Sequence, residues 1–337
     1  MSEVYRTFSR HSAEIWSENY RLDQGVIMAA DAGSDDGTIN PQYLYTIGHP
    51  HPETLGTNPT SVDLPRELGL PPVYRIDDGP VLEKIRDESL IYEYEGAYAG
   101  VYSPHQQPGS RAYGADNRLL MLGYVHEWFH VFQGGDQFSQ IPSESGGTTD
   151  LSTYPREPAD VHGLALVEDC VLAEQADTHE EARDLLRTFL AIRATRWQTQ
   201  PGVRDKEASG EQMEGLGRYV DDLFARYAGY KVVYEDDQQR SAEPKPLFVS
   251  IAAGRSYNTG SAIGRLLQQA TGNSEWRTLV ASGLTPSEAA ARLLGEPAGA
   301  ERERLVEQAK TDHSYSEQLK AVENANFPDL EFPKLSF

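Results

Sequence analysis

Residues 125–133 read Val125-His126-Glu127-Trp128-Phe129-His130-Val131-Phe132-Gln133. The stretch contains His-Glu-x-x-His. On a helix, His126 and His130 lie one turn apart on one face, so both imidazoles can reach one metal ion. Glu127 follows the first of them and points beside that ion, where its carboxylate can accept a proton from water. Leu119, Leu120, Leu122, Val125, Trp128, Phe129 and Phe132 make the helix apolar nearly all round, as expected of a buried one. Burial suits the chemistry, because a dry, rigid surround holds metal geometry and strengthens electrostatics. The plain alternative is a pair of core histidines. A zinc site needs a third protein ligand and an open position for water.

Upstream, residues 1 to about 112 read as strands and loops with one or two short helices. His11–Tyr20 can form a helical turn and Val81–Asp87 a short helix. Gly25–Ala30 and Tyr43–Ile47 read as strands, and Leu90–Tyr102 alternates like two strands around a glycine turn. This Tyr-rich segment is either an ordinary half-buried hairpin or a strand that pairs with an extended substrate. Asp31–Gly37 is a polar turn without the spaced oxygen ligands of an EF-hand loop. His49-Pro50-His51-Pro52 favours a loop over a metal site.

Downstream the pattern turns helical. Helices are expected over Asp116–Gln133, Pro158–Ala176, Glu207–Tyr227, Ser256–Gln269, Ser274–Ser282 and Glu301–Val322. Thr178-His179-Glu180-Glu181 and Thr285-Pro286-Ser287-Glu288 are capping boxes that start two more. Ser139–Arg156 is a polar loop, Lys231–Tyr234 a short strand and Asn324–Phe337 an extended tail.

The chain has 337 residues, 39% of them hydrophobic, enough for a large core. Its net charge of −22, with 23 Arg and only 7 Lys, argues against nucleic acid and anionic membranes as partners. No apolar run reaches about 18 residues, so no membrane span is expected. Met1–Arg6 lacks the basic and apolar regions of a signal peptide. Cys170 is the only cysteine, which excludes an internal disulfide. Together these point to the cytoplasm, although a processed secreted form would look the same.

Two carboxylates compete as third ligand. Glu214 lies in Glu211-Gln212-Met213-Glu214-Gly215-Leu216-Gly217-Arg218-Tyr219, where Gly215 and Gly217 weaken a helix unless they permit a close approach, for instance to the metal helix. Glu168 lies in an apolar stripe, followed by Asp169. Glu207 and Glu211 precede Glu214 by two turns and one, on a solvated face or behind the ligand. Arg193 and Arg196 form surface ion pairs, pair with carboxylates behind the ligands, or bind a substrate carboxylate. Gln133, one turn past His130, can orient a ligand or a substrate.

His126-Glu127-x-x-His130 followed by Glu214-Gly215-Leu216-Gly217-x-Tyr219 resembles the gluzincin metallopeptidases, whose second motif supplies a glutamate as third zinc ligand. Ser256-Tyr257-Asn258-Thr259-Gly260 is similar to an element of zinc aminopeptidases in which the tyrosine stabilises an oxyanion; Thr259 stands where that element has lysine. Ile15-Trp16, His49-Pro50-x-Pro52, Arg193-x-x-Arg196 and the Tyr-x-x-Gly helix also resemble uncharacterised bacterial HExxHxxQ proteins. The resemblance implies an α+β fold, with a β-rich lobe over 1–112 and a helical zincin-like catalytic lobe over 113–337, forming one compact unit. It implies Zn2+ on His126, His130 and Glu214, Glu127 as base and Tyr257 as oxyanion donor. The expected activity is hydrolysis of a peptide through a water that Glu127 activates on the zinc. No element matches the aminopeptidase grip on a free amino terminus. That leaves a small non-peptide amide or ester as the alternative substrate, and a non-catalytic binding protein as a further alternative.

Overall fold

The computed structural model describes residues 1–20, 22, 25–30, 42–88, 90–94, 97–102, 117–134, 138, 153–230, 247–272 and 274–325. The chain is α+β, and its contacts divide it into two compact units. The first is Met1–Gly135 with Val220–Asp236, and the second is Asp136–Tyr219 with Asp237–Phe337. The expected lobes met at residues 112 and 113. In the structure the His-Glu-x-x-His helix groups with the sheet instead, together with a returning segment from beyond residue 219.

The first unit holds a six-stranded sheet in the order β3-β4-β2-β1-β6-β5. Its strands are β1 (Val26–Ala30), β2 (Tyr43–Ile47), β3 (Thr60–Ser61), β4 (Val73–Ile76), β5 (Leu90–Tyr94) and β6 (Ala97–Tyr102). β1 pairs parallel with β6 (Val26 opposite Tyr98) and antiparallel with β2 (Val26 opposite Ile47). The other pairs are antiparallel. Val26, Ile27, Leu44, Ile47, Val73 and Ile76 are buried. β6, the strand before the motif helix, is paired on both sides, so the edge of the Tyr-rich hairpin is β5.

Helix α1 (Ser2–Ile15) starts well before the helical turn expected over His11–Tyr20 and overlaps it only as far as Ile15. Val4, Phe8 and Ile15 are buried at helical spacing, with Thr7 beside them. The expected helix near Val81 is present as Pro80–Glu88, α2. The motif helix α3 (Asn117–Gly134) packs against β5 and β6.

The second unit is helical among the described residues. α4 (Ala159–Ala173) is buried along most of its length and packs on α5 (His179–Thr199). Both capping boxes form as expected. Thr178 accepts the Glu181 N–H at 3.1 Å while Glu181 accepts the Thr178 N–H at 3.0 Å. Thr285 and Glu288 exchange the equivalent bonds at 3.2 and 3.0 Å. The expected helix over Glu301–Val322 is two helices, Gly299–Asp312 and Tyr315–Asn324. Ser314, at φ +50°, turns the chain between them. Asp31–Gly37, Lys231–Tyr234 and most of the expected tail lie outside the described residues, as does most of Ser139–Arg156. Among the described residues no helix is long and apolar enough to cross a membrane.

Arg193 and Arg196 are 1% and 0% exposed, which overturns their reading as surface ion pairs. They belong to a buried cluster with Arg255, Glu168, Glu207 and Glu211. Glu168 takes Arg193 at 3.1 Å, Arg196 at 2.7 Å and Arg255 at 2.5 Å. Arg193 Nη1 donates to both oxygens of Glu211 at 2.7 Å. Arg196 reaches Glu207 at 2.6 Å, which also accepts from Tyr154 (2.8 Å) and Trp197 (3.1 Å). Three guanidiniums thus meet three buried carboxylates. Burial opposes ionisation of Glu168, but the three arginines outweigh it and hold its carboxyl below the usual range.

Removing one member strands the others. Glu168→Gln is expected to lower unfolding stability by about 3–5 kcal/mol in urea titration, the usual result of breaking a buried pair. A change under about 1 kcal/mol would mean the cluster is hydrated and weak.

A pH dependence follows from His162, buried on α4, whose Nε2–H donates to the Arg156 carbonyl at 3.0 Å. Burial, and next the charge of Arg196, lower its pKa from 6.5 to about 4. The unfolded chain therefore takes a proton here between about pH 6.5 and 4 that the folded chain refuses, and stability falls as pH drops through that window. His162→Gln should flatten the fall, by up to about 1.4 kcal/mol per pH unit. Equal slopes for variant and wild type would remove His162 as the cause.

Candidate metal centre

In the first unit α3 is wrapped by aromatic side chains. Phe129 lies 4.9 Å from Trp16 and 5.4 Å from Tyr20, centroid to centroid, and Phe8 lies 5.0 Å from Tyr20 and 5.4 Å from Phe224. Tyr20 donates to the Val125 carbonyl at 3.2 Å, beside His126. Burial, reinforced by the nearby Asp221 charge, raises its pKa well above 10, so the phenol keeps its proton. These contacts fix the rotation of α3 and hence the face that bears its histidines.

On that face the rings of His126 and His130 are 4.7 Å apart and nearly perpendicular. His126 Nδ1 is 2.9 Å from Asp221 Oδ2, and the Asp221 side chain is 7% exposed. A carboxylate there can only accept, so Nδ1 carries the proton. His130 Nδ1 donates in the same way to Gln133 Oε1 at 2.9 Å. Both rings are thereby held in the tautomer whose lone pair is on Nε2, the arrangement that metal-ligating histidines use. Gln133 was legible in the sequence as an orienting residue. Asp221 was not: it lies 95 residues from His126, and only its place seven residues after Glu214 hints at a shared helix face. Glu127 is half-buried on α3.

Asp221 belongs to a long helical run made of α6 (Gly202–Gly210), a π turn (Glu211–Gly215) and α7 (Leu216–Ala228). The division between the two units falls inside it, after Tyr219. Glu214 sits in the π turn, buried, in the second unit. π turns are rare and concentrate at functional sites. This one changes the phase of the helix. Three residues fall about 60° short of a full α turn, and the wider i→i+5 ring increases that shortfall. Glu214 is thus rotated away from the line of Glu207 and Glu211, which bond into the arginine cluster. The expectation of one shared, solvated face does not hold: Glu207 and Glu211 are buried and ion-paired.

The close approach that Gly215 permits is to helix α9, not the metal helix for which it was expected. α8 (Leu247–Val249), a second π turn (Ser250–Gly254) and α9 (Arg255–Thr271) lead to Tyr257, which is half-buried. A Cβ on Gly215 would lie 2.5 Å from the Gly260 Cα and 2.7 Å from the Ser256 carbonyl oxygen. A Cβ on Gly210 would meet the Ser256 side chain at 2.8 Å. Backbone touches backbone where the segments bearing Glu214 and Tyr257 cross.

Glu168, the competing third ligand, is fully buried and bonded to three arginines. Its carboxylate is therefore committed to the arginines, and it is not proposed as a metal ligand. His49 closes its own loop by accepting the His51 N–H at 3.1 Å. No family model matches the sequence, and neither a curated protein nor a solved structure matches it significantly.

Gly215→Ala tests the crossing. The added methyl meets backbone rather than a movable side chain, and overpacking of this sort destabilises by about 1–3 kcal/mol. Gly134→Ala, where a Cβ meets nothing within 4 Å, should change thermal stability little. Equal small effects would show that the crossing can open.

Proposed function

We propose that this protein is a metal-dependent hydrolase, most simply a zinc metallopeptidase, with His126, His130 and Glu214 as ligands, a set of side chains that could hold one ion. The observation that carries the reading is the pair of Nδ1 bonds, His126 to Asp221 and His130 to Gln133. Two core histidines one turn apart do not need matched acceptors that present both Nε2 lone pairs. The donor set of two imidazoles and a carboxylate suits zinc with an open position. The zincin-like character of the fold is part of the same proposal.

When bound, zinc supplies a Lewis acid that polarises a carbonyl and makes water acidic enough to attack near neutral pH. Glu127, next to His126 on α3, takes the proton of the attacking water and returns it to the leaving amine. Asp221 and Gln133 keep the two imidazoles oriented. Tyr257 is the proposed hydrogen-bond donor to the developing oxyanion. Peptides or small amides are the substrates this chemistry serves.

Purified protein should contain about one zinc per chain by elemental analysis, lost on chelation. Glu127→Gln should keep its zinc and lose about 10²–10⁴-fold in turnover on a panel of peptides and small amides. Glu214→Ala should lose zinc affinity and turnover together. Full metal binding in that variant would leave Glu214 outside the site, and unchanged turnover in Glu127→Gln would remove it as the base. Turnover confined to small amides would reassign the substrate while keeping the chemistry.

A further inference from the structure

Thr259 lies two residues after Tyr257, and Glu211 three residues before Glu214. Between them runs a hydrogen bond, Thr259 Oγ1 to Glu211 Oε1, at 3.0 Å, the shortest contact of this hydroxyl, with the Arg255 carbonyl of its own helix at 3.1 Å. Both residues are buried, Thr259 at 2% and Glu211 at 1% exposure. The bond crosses the junction where Gly215 meets Gly260 and Gly210 meets Ser256. Glu211 is itself pinned, since Arg193 donates to both of its oxygens and Ser287 to Oε2 at 3.2 Å. Arg255, two residues before Tyr257, is pinned to Glu168. The glycine contacts prevent the two segments from approaching further but do not stop them sliding. Directional bonds to immobilised carboxylates do: this one, and the longer Arg255 Nη1 to Glu207 Oε1 bond at 3.3 Å.

From this we propose that Thr259 and Glu211 are positioning residues that set the register of the Glu214 turn against the Tyr257 helix. The inference rests on the metal-centre reading above and adds to it. It also gives a role to the threonine found where the similar aminopeptidase element has lysine. Ser287 provides the internal control. It bonds the same carboxylate from the helix Pro286–Leu294, so its loss weakens the cluster without releasing α9.

The test is zinc titration and steady-state kinetics on wild type, Thr259→Val, Thr259→Ser and Ser287→Ala, with a denaturation curve for each. Thr259→Val keeps the shape and leaves Glu211 bonded to Arg193 and Ser287, so the chain should fold. It should lose about 10–100-fold in zinc affinity or in kcat, as loss of a partner behind a ligand does, with KM little changed. Thr259→Ser should restore most of the loss, and Ser287→Ala should bind zinc like wild type. If Thr259→Val and Ser287→Ala lose stability alike and both keep wild-type affinity and kcat, the bond is only structural and the proposal is overturned. If wild type itself binds no zinc, the metal-centre reading fails and takes this inference with it. The two failures are told apart by whether the wild type or only the comparison of variants is at fault.

Discussion

Glu168 accepting three arginines is the constraint on which the helical unit depends. A charge taken out of water is strongly unfavourable unless opposite charge and hydrogen bonds replace its hydration. Arg193, Arg196 and Arg255 meet that condition only with Glu207 and Glu211 in place as well. The cluster therefore fixes at one point α4, which carries Glu168, α5, which carries two arginines, the helical run with the other two glutamates, and α9 with Arg255. Apolar packing alone tolerates sliding and repacking of similar volumes. Directional bonds among six charged groups do not, which makes the cluster a source of register more than of net stability.

The two histidines of α3 are not equivalent. His126 donates to a carboxylate and His130 to an amide. An anionic acceptor pulls harder on Nδ1–H and makes Nε2 the more basic donor. If both acceptors were carboxylates, the negative charge beside the two rings, with Glu127 next to His126 on the same helix, would rise. A neutral Gln133 limits it while still setting the ring plane. The aromatic side chains of Phe8, Trp16, Tyr20 and Phe129 fix the helix that carries both rings, so orientation is determined from behind the rings and along the helix at once.

What the sequence made legible was local. His-Glu-x-x-His, the Gln133 that follows one turn later, and the two capping boxes are each spelled out within a few residues. Their geometry needs no distant partner. Asp221 is one of 52 acidic residues and becomes special only through a contact with a residue far away in the chain. Arg193 and Arg196 were read towards the surface because arginine is seldom fully buried unless paired, and their partners Glu168, Glu207 and Glu211 come from separate helices. The short strands β3 and β4 owe their form to pairing, which leaves little trace in two to four residues. Ser314 breaks a helix with no glycine or proline to announce it. The α1 pattern was present in Val4, Phe8 and Ile15, but the polar residues between them obscured it.

The π turn shows why one further feature stayed hidden and why it matters. In an unbroken α-helix Glu207, Glu211 and Glu214 follow one another on nearly one face, and three carboxylates would converge on the arginines. The three guanidiniums already serve Glu168, Glu207 and Glu211, and Arg255 also pairs with the half-buried Asp169 at 2.7 Å, so a further carboxylate turned towards them would add to a negative excess. Widening the helix by one i→i+5 turn after Glu211 diverts Glu214 from that face while Glu211 stays bonded to Arg193. The wider turn weakens the helix, and Gly215 adds to that weakness, but the same glycine lets the backbone at Gly260 come into contact and offset it. In the proposed centre the diverted carboxylate serves a metal together with the imidazoles, while the arginine cluster keeps its own glutamates.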